Sequence, residues 1–383
     1  MIEVREEIQQ MLDEVRANRR YLHQHPELEL DTVHTKAYLI EQIQSYGGFT
    51  IHEGYAENGF VATMKKSDDS LYIGFRTDMD ALAMMDLVPC DYASKWEGRA
   101  HACGHDGHMS ALLGLAKRLK DTKDSFPHNI LLIFQPAEES PGAARYVVES
   151  GIFEKYNVKA IFGMHLMPLI EEGTIACKAG PLMAMCGELD VTIHGKGSHA
   201  GLPQKGIDSI VIASLAISQY QTFVSRRTSP FQPVILNVGK ISGGTARNSV
   251  ASETTLQGTV RCYSEEMFET LTKEIQGIHQ GLELTYGCDI EWSCPPFYPP
   301  VINDCTLYQK FKNIVKDDYK ELKEPLMLAE DFSFYQRKIP GLFFFLGTKS
   351  EQYQSGLHTE TFDFHEDVLN KAVDLYYQIA LYI

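Results

Sequence analysis

The sequence predicts an α/β protein into which a second, smaller unit of β-α-β-β-α-β order is inserted. Three observations carry this reading. Near-continuous apolar strands alternate with helical periodicities up to residue 185, the pattern changes near residue 186 to strands of alternating polarity, and buried apolar runs return after residue 296. At 383 residues the chain is long enough for two cores. The expected organisation is residues 1–185 and 296–383 as two parts of one large domain, with 186–295 inserted between them.

Taken in order, Ile8, Met11, Leu12 and Val15 recur at helical spacing, so the chain opens with an amphipathic helix. A second helix is expected from Thr35 to Tyr46, stopped by Gly47-Gly48. Leu71 to Phe75 reads as a strand ending at Arg76-Thr77-Asp78, and Gly107 to Lys120 as a helix. Ile130 to Phe134 is an apolar strand that ends at Gln135-Pro136-Ala137-Glu138-Glu139. Ala143 to Ser150 is expected to be helical, and Val158 to Met164 a strand ending at His165. In the insert, Leu189, Val191 and Ile193 alternate as in a half-buried strand. A helix over 207–224, strands over 233–240 and 253–262, a helix over 265–283 and a strand over 287–293 complete a ferredoxin-like unit with one open sheet face. Cys294 to Pro300 reads as the linker back, Leu342 to Leu346 as a buried strand, and the chain from His365 as a closing helix.

Composition narrows the function classes. Hydrophobic residues make up 44% and charged residues 22%, the balance of a globular protein. A formal charge of −16 argues against nucleic-acid binding, which needs clustered Lys and Arg. No apolar run approaches the roughly 18 residues of a membrane span, so no membrane partner is expected. The charged, amphipathic N-terminus lacks the apolar core of a secretory signal, and a cytoplasmic protein is expected. The eight cysteines have no paired framework spacing and read as reduced thiols. Of these, Cys103 alone sits among other candidate ligands.

That neighbourhood is His101-Ala102-Cys103-Gly104-His105-Asp106-Gly107-His108. Thiolate and imidazole suit Zn, Ni, Co or Mn ions, and the spacing lacks the two CxxC or HxxxH halves of a structural zinc site. An open catalytic site is the expectation. The adjacent Glu138 and Glu139 follow an apolar strand, where two carboxylates repel unless a cation sits nearby. One can ligate a metal while its neighbour takes a proton from water. Asp78, Glu138, Glu139 and His165 all follow predicted strands, and His358 follows the strand at 342–346. Ligands of open α/β sheets gather at such strand ends.

Several ordered motifs then carry a resemblance. They are Arg20-Tyr21-Leu22-His23-Gln24-His25-Pro26-Glu27-Leu28, Phe75-Arg76-Thr77-Asp78-Met79-Asp80-Ala81-Leu82, the cluster at 101–108, Phe134 to Glu139, Glu330-Asp331-Phe332-Ser333-Phe334-Tyr335 and Gly356-Leu357-His358. With them the chain resembles, almost end to end, the amidohydrolase branch of the M20 metallopeptidase family. That branch holds hippurate hydrolases, aminoacylases, plant auxin-conjugate hydrolases and bacterial N-acetyl-diaminopimelate deacetylases. The resemblance implies a zinc-exopeptidase-like catalytic domain carrying a lid and dimerisation domain. It implies two divalent metal ions held by Cys103, His105, Glu139, His165 and His358, with Glu138 as general base, although the adjacent carboxylates can exchange these roles. His101 and His108 become supporting residues. Asp78 would orient a ligand and tune its basicity. In the insert, His199 corresponds to the histidine that holds the oxyanion, and Asn248 and Arg261 to the pair that binds the substrate carboxylate. A homodimer through the lid is implied.

The expected reaction is hydrolysis of an N-acyl amino acid, N-acetyl-L,L-diaminopimelate first and broader aminoacylase or hippurate-type substrates second. A metal-binding protein without catalysis is the remaining alternative. The chain departs from the branch's usual pattern at Ala83-Met84-Met85-Asp86, at Ser249-Val250-Ala251 and at Ala329, none of them proposed ligands.

Overall fold

The computed structural model describes residues 5–123, 125–315 and 319–383. The chain forms two compact units, one of Met1–Leu182, Ile302–Pro325 and Asp331–Ile383, the other of Met183–Val301 and Leu326–Glu330. The crossings after Leu182 and after Val301 lie a few residues outside the boundaries read from the sequence. The segment 326–330, which reads as part of the large domain, belongs to the second unit because Met183 bridges to Leu326 and the Ala184 amide donates to the carbonyls of Leu326 and Leu328.

The first unit is a mixed sheet with helices packed on it. Its strands include β1 (Thr50–Tyr55), β2 (Gly59–Met64), β3 (Tyr72–Asp78), β4 (Asn129–Gln135) and β5 (Val158–Glu171). They lie in the order β1-β2-β4-β3-β5, followed by the strands Gly341–Lys349, Ile175–Cys177 and Tyr319–Glu321. In the centre of the sheet β3 runs parallel to both β4 and β5, and the strand Gly341–Lys349 runs parallel to β5, so their carboxyl ends share one edge. Every residue of β4 is buried, as the run Ile130-Leu131-Leu132-Ile133-Phe134 requires of a strand covered on both faces.

Two expectations about strands change. β5 does not stop before His165 but continues to Glu171, so His165 sits within the strand, opposite Phe345. Leu166 and Met167 keep the strand apolar and paired, and Pro168 falls in the irregular stretch between the Met167 and Glu171 pairings, where no ladder donor is required. The 294–300 segment is more than a linker, because Pro296–Tyr298 pairs with the strand Met185–His194 and Tyr298 is buried.

Helix α1 (Glu6–Gln9) and helix α2 (Leu12–Gln24) replace the single opening helix. The Met11 amide bonds to Ile8, three residues back, and this tight turn breaks the ladder. Helix α3 (Val33–Tyr46) ends at Gly47, whose φ is +74°. Helix α4 (His105–Asp121) starts two residues earlier than its apolar pattern and is buried along most of its length. It meets α2 and the closing helix Val368–Tyr382 at Gly114, where an added Cβ would lie 2.5 Å from Val373 Cγ2.

In the second unit the strands Ile235–Gly243, Glu253–Cys262, Met185–His194 and Asp289–Ser293 lie side by side in that order, each antiparallel to its neighbour. This is strand order 2-3-1-4 of a β-α-β-β-α-β chain. Helix Ser209–Thr222 is capped by Asp208, and helix Glu265–Tyr286 by Ser264 at its start and Gly287 at its end. Both pack on the face carrying Leu189, Val191, Ile193, Leu256 and Val260.

Arg19 of α2 ties the first unit together. Fully buried, it donates from Nε to Asp106 at the start of α4 (2.8 Å) and from Nη2 to Asp363 before the closing helix (2.7 Å). Its guanidinium stacks 4.5 Å from the Phe364 ring centre. Arg19→Met leaves two buried carboxylates without their cation, and is expected to destabilise this unit by about 3–5 kcal/mol. A urea midpoint equal to that of the unaltered chain would contradict this.

Candidate metal centre

Each candidate donor is delivered by a specific backbone feature. Gly104 turns the chain into α4 at φ +86°, where an L side chain is strained, so that Cys103 and His105 flank the turn. Glu138 and Glu139 follow β4 after Ala137, itself left-handed at φ +53°. The Asp80 carboxylate accepts both of their amides, Glu138 N at 2.9 Å and Glu139 N at 3.0 Å. His358 is left-handed too, at φ +58°, and its amide donates to Ala102 O at 2.9 Å, fastening the His358 loop to the cysteine loop. Strain of this kind, about 1–2 kcal/mol per residue, persists where surrounding contacts over-determine it.

The side chains converge. Cys103 Sγ lies 3.4 Å from His165 Nε2 and 3.3 Å from His358 Nε2. Glu139 Oε1 lies 3.1 Å from His358 Nε2 and 4.0 Å from His105 Nε2. Two of the resulting groups contain the thiol, Cys103 with His105 and His165, and Cys103 with Glu139 and His358, while His105 also groups with Glu138 and Glu139. Cys103 is common to the first two.

Hydrogen bonds on the far side of the rings fix which nitrogen faces the cluster. His105 Nδ1 donates to Asp80 O at 2.8 Å, and His165 Nδ1 donates to Leu166 O at 2.6 Å. In the neutral rings each Nε2 therefore carries a lone pair aimed inward. His105 Nε2 is buried and has no hydrogen-bond partner among the described residues. Such an orphan asks for a partner, and a metal ion is the partner that thiolate, imidazole and carboxylate donors share.

The electrostatics point the same way. Burial, with Glu139 and Glu138 nearby, pushes the Cys103 thiol well above its usual range. Burial, with His108 and His105 nearby, lowers His165 to about 3. For His105 burial opposes the charge, but Asp78, Asp80 and Glu139 outweigh it and raise the ring to about 10. Burial opposes ionisation of Glu139 as well, yet His358 and His105 hold it below its usual value. A cation at this cluster would take over the neutralising role of those protons.

Of the residues singled out in the sequence, Cys103, His105, Glu138, Glu139, His165 and His358 gather here, all but His358 largely buried. Asp78 acts on His105 through its charge, the largest of those that raise the ring. Its Oδ1 accepts His108 Nδ1 at 2.7 Å and lies 3.9 Å from His105 Nδ1, so it contacts none of the candidate ligands by hydrogen bond. The cause is helical spacing, since His105 and His108 share a face of α4 and the strand end of β3 meets the second of them. His108 Nε2 in turn accepts the Leu166 amide at 3.0 Å, so both its ring nitrogens are used. The residue that holds the ligand ring and both glutamate amides is Asp80. Its signal was the repeat Asp78-Met79-Asp80 at a strand end, of which only the first carboxylate stood out. His101 is buried, with no hydrogen-bond partner on either nitrogen among the described residues. His199, Asn248 and Arg261 lie in the second unit. His199 Nδ1 accepts the Gly201 amide at 3.0 Å, which leaves the proton of the neutral ring on Nε2 as a donor. Arg261 Nη1 donates to Met327 O at 2.8 Å, and Asn248 is exposed.

Thiol, imidazole and carboxylate donors gathered from β5 and from the loops after the other strands of a mixed sheet define a metallohydrolase type of site. Comparison with known proteins makes this specific. Residues 74–382 match the model of peptidase family M20/M25/M40. The chain is 37% identical over 373 residues to IAA-amino acid hydrolase ILR1-like 4 of Arabidopsis thaliana, covering 94% of this chain and 84% of that one. It is 35% identical over 370 residues to the N-acetyldiaminopimelate deacetylase of Listeria monocytogenes EGD-e, covering 95% and 98%. Among solved structures, the Bacillus subtilis YXEP protein, described as a dinuclear metal-binding peptidase of the M20 family, superposes with a TM-score of 0.84. It is 30% identical, with 97% and 98% of the two chains covered. The chain belongs to peptidase family M20/M25/M40 and is a metal-dependent hydrolase.

Adding a divalent cation to chelator-treated protein is expected to raise its melting temperature, by the equivalent of about 2.7 kcal/mol at a hundredfold excess over Kd. His105→Ala should lose most of that gain. Equal gains in both proteins would remove His105 from the donor set.

Proposed function

We propose that the protein hydrolyses the amide bond of an N-acyl amino acid, with N-acetyl-L,L-diaminopimelate as substrate and L,L-diaminopimelate and acetate as products, a step toward lysine. The reaction class rests above all on one observation: His105 and His165 each give Nδ1–H to a backbone carbonyl and turn Nε2 toward Cys103 and Glu139. The substrate rests on relatives named N-acetyldiaminopimelate deacetylase, at 35% identity in Listeria monocytogenes and 34% in Bacillus subtilis 168. The similarity to an IAA-amino acid hydrolase at 37% supports a second reading, a hydrolase of amino acids bearing larger acyl groups.

In this reading Cys103, His105, Glu139, His165 and His358 hold two divalent ions, and Zn, Mn, Ni or Co suits the donors. When bound, such ions polarise the amide carbonyl and make a water more acidic. Glu138 takes the proton of the attacking water and returns it to the leaving amine. Its backbone is held by Asp80 and its Oε1 accepts the Asp331 amide at 3.4 Å. Glu139 suits the ligand role, being the carboxylate grouped with Cys103 and His358. His199 offers Nε2–H to the developing oxyanion, and Asn248 and Arg261 bind the substrate carboxylate. The same reading has the chain working as a cytoplasmic homodimer paired through residues 186–295.

The test is release of free amine from N-acetyl-L,L-diaminopimelate, N-acetyl-methionine, hippurate and an IAA-amino acid, with and without chelator. The expected result is chelator-sensitive hydrolysis with the highest kcat/KM on N-acetyl-L,L-diaminopimelate. A higher value on the IAA conjugate favours the second reading, and chelator-insensitive activity defeats both. Glu138→Gln is expected to retain metal and lose about 10²–10⁴-fold in kcat. Near-normal turnover would overturn its assignment.

A further inference from the structure

One buried network enters the reading above only at its margins, through the Asp331 amide and Asp78, and it uses residues of the Arg76-Thr77-Asp78 and Glu330-Asp331-Phe332 motifs. Arg76 of β3 spreads its guanidinium over three acceptors: Nη1 donates to Asp78 Oδ2 (2.8 Å), Nε to Gln135 Oε1 (2.9 Å) and Nη2 to Asp331 Oδ1 (2.7 Å). The other Asp331 oxygen accepts Gln135 Nε2 at 2.7 Å and the Ala144 amide at 2.9 Å. Tyr335 OH donates to Gln135 Oε1 at 2.8 Å. Arg76, Gln135, Asp331 and Tyr335 are all buried, so each of these bonds is made away from water, where a lost partner is expensive.

We infer that Asp331 is a positioning residue for the base. Its carboxylate is locked by Arg76, Gln135 and the Ala144 amide, and this holds its own backbone N–H against Glu138 Oε1. A glutamate has several rotamers to choose among, and proton transfer needs one of them. Glu138 is held at both ends, its amide by Asp80 and its carboxylate by Asp331. Arg76 extends the frame further. Through Asp78 it reaches His108, which accepts the Leu166 amide beside His165. The base and one metal donor are thereby fixed to a single hydrogen-bonded frame. This inference rests on the reading of Glu138 as the base.

Asp331→Asn keeps the shape of the side chain but turns one acceptor into a donor facing Gln135 Nε2 and the Ala144 amide. Small displacements of a reacting group cost up to about 10²-fold. The expected result is a fall in kcat of roughly 10- to 100-fold, with KM within about threefold and metal content unchanged. The double variant, Asp331→Asn together with Gln135→Glu, exchanges amide and carboxylate across the pair and is expected to recover part of the lost kcat. A merely structural role predicts neither the split between kcat and KM nor the rescue. A kcat within about twofold of wild type, or one that falls only in proportion to lost metal, would overturn the inference. If Asp331→Asn does not fold, Tyr335→Phe decides, since it removes a single donor from Gln135. A severalfold lower kcat in that folded, metal-loaded variant supports the inference, and an unchanged kcat overturns it. A wild-type chain that hydrolyses no N-acyl amino acid defeats the functional reading instead, which separates the two failures.

Discussion

The arrangement turns on the crowding of unlike donors at Cys103. A thiol, imidazole nitrogens from His165 and His358 and a carboxylate from Glu139 lie within contact distance in a cluster that is largely buried except at His358. Without a shared cation, those lone pairs and negative charges repel, and each group must hold a proton or lose a partner. The surrounding structure is organised to hold the groups there nonetheless. It uses left-handed backbone at Gly104, Ala137 and His358, backbone carbonyls that receive Nδ1–H of His105 and His165, and the Asp80 carboxylate beneath two consecutive glutamate amides.

Around this lies a set of buried ion pairs whose members come from distant parts of the chain. Arg19 joins α2 to Asp106, the residue after His105, and to Asp363, five residues beyond His358. His23 bonds Asp106 on one side at 2.8 Å and approaches Asp86 on the other at 3.2 Å. Buried pairs contribute little net stability against an apolar core, but breaking one is costly, so they specify a single arrangement. Here they hold both ends of the donor set, the start of α4 and the segment after His358. The motif around His23, prominent in the sequence, serves as this clamp.

Much of this was legible in the sequence because it depends on local periodicity and on rare residue types. The apolar run at 130–134 and the period-two pattern at 189–193 identify buried and half-buried strands, and the cluster of histidines around Cys103 has few meanings. What the sequence did not disclose depends on strand length and on which carboxylate meets which helix face. His165 lies inside β5 because the apolar Leu166 and Met167 continue past it and pair with Leu346 and Gly347. Asp78 serves His108, and Asp80 serves His105, a division that needs the relative placement of β3 and α4. Arg76 and Asp331 are 255 residues apart in the chain, and nothing local marks them as partners.

In the reading proposed here Cys103 ligates metal together with imidazole and carboxylate. X-ray absorption at the edge of the bound metal measures this directly. The predicted result for a zinc-loaded protein is a sulfur scatterer at about 2.3 Å beside nitrogen and oxygen at about 2.0–2.2 Å, with the sulfur contribution lost in Cys103→Ser. Nitrogen and oxygen scatterers alone, unchanged by that substitution, would rule Cys103 out as a ligand.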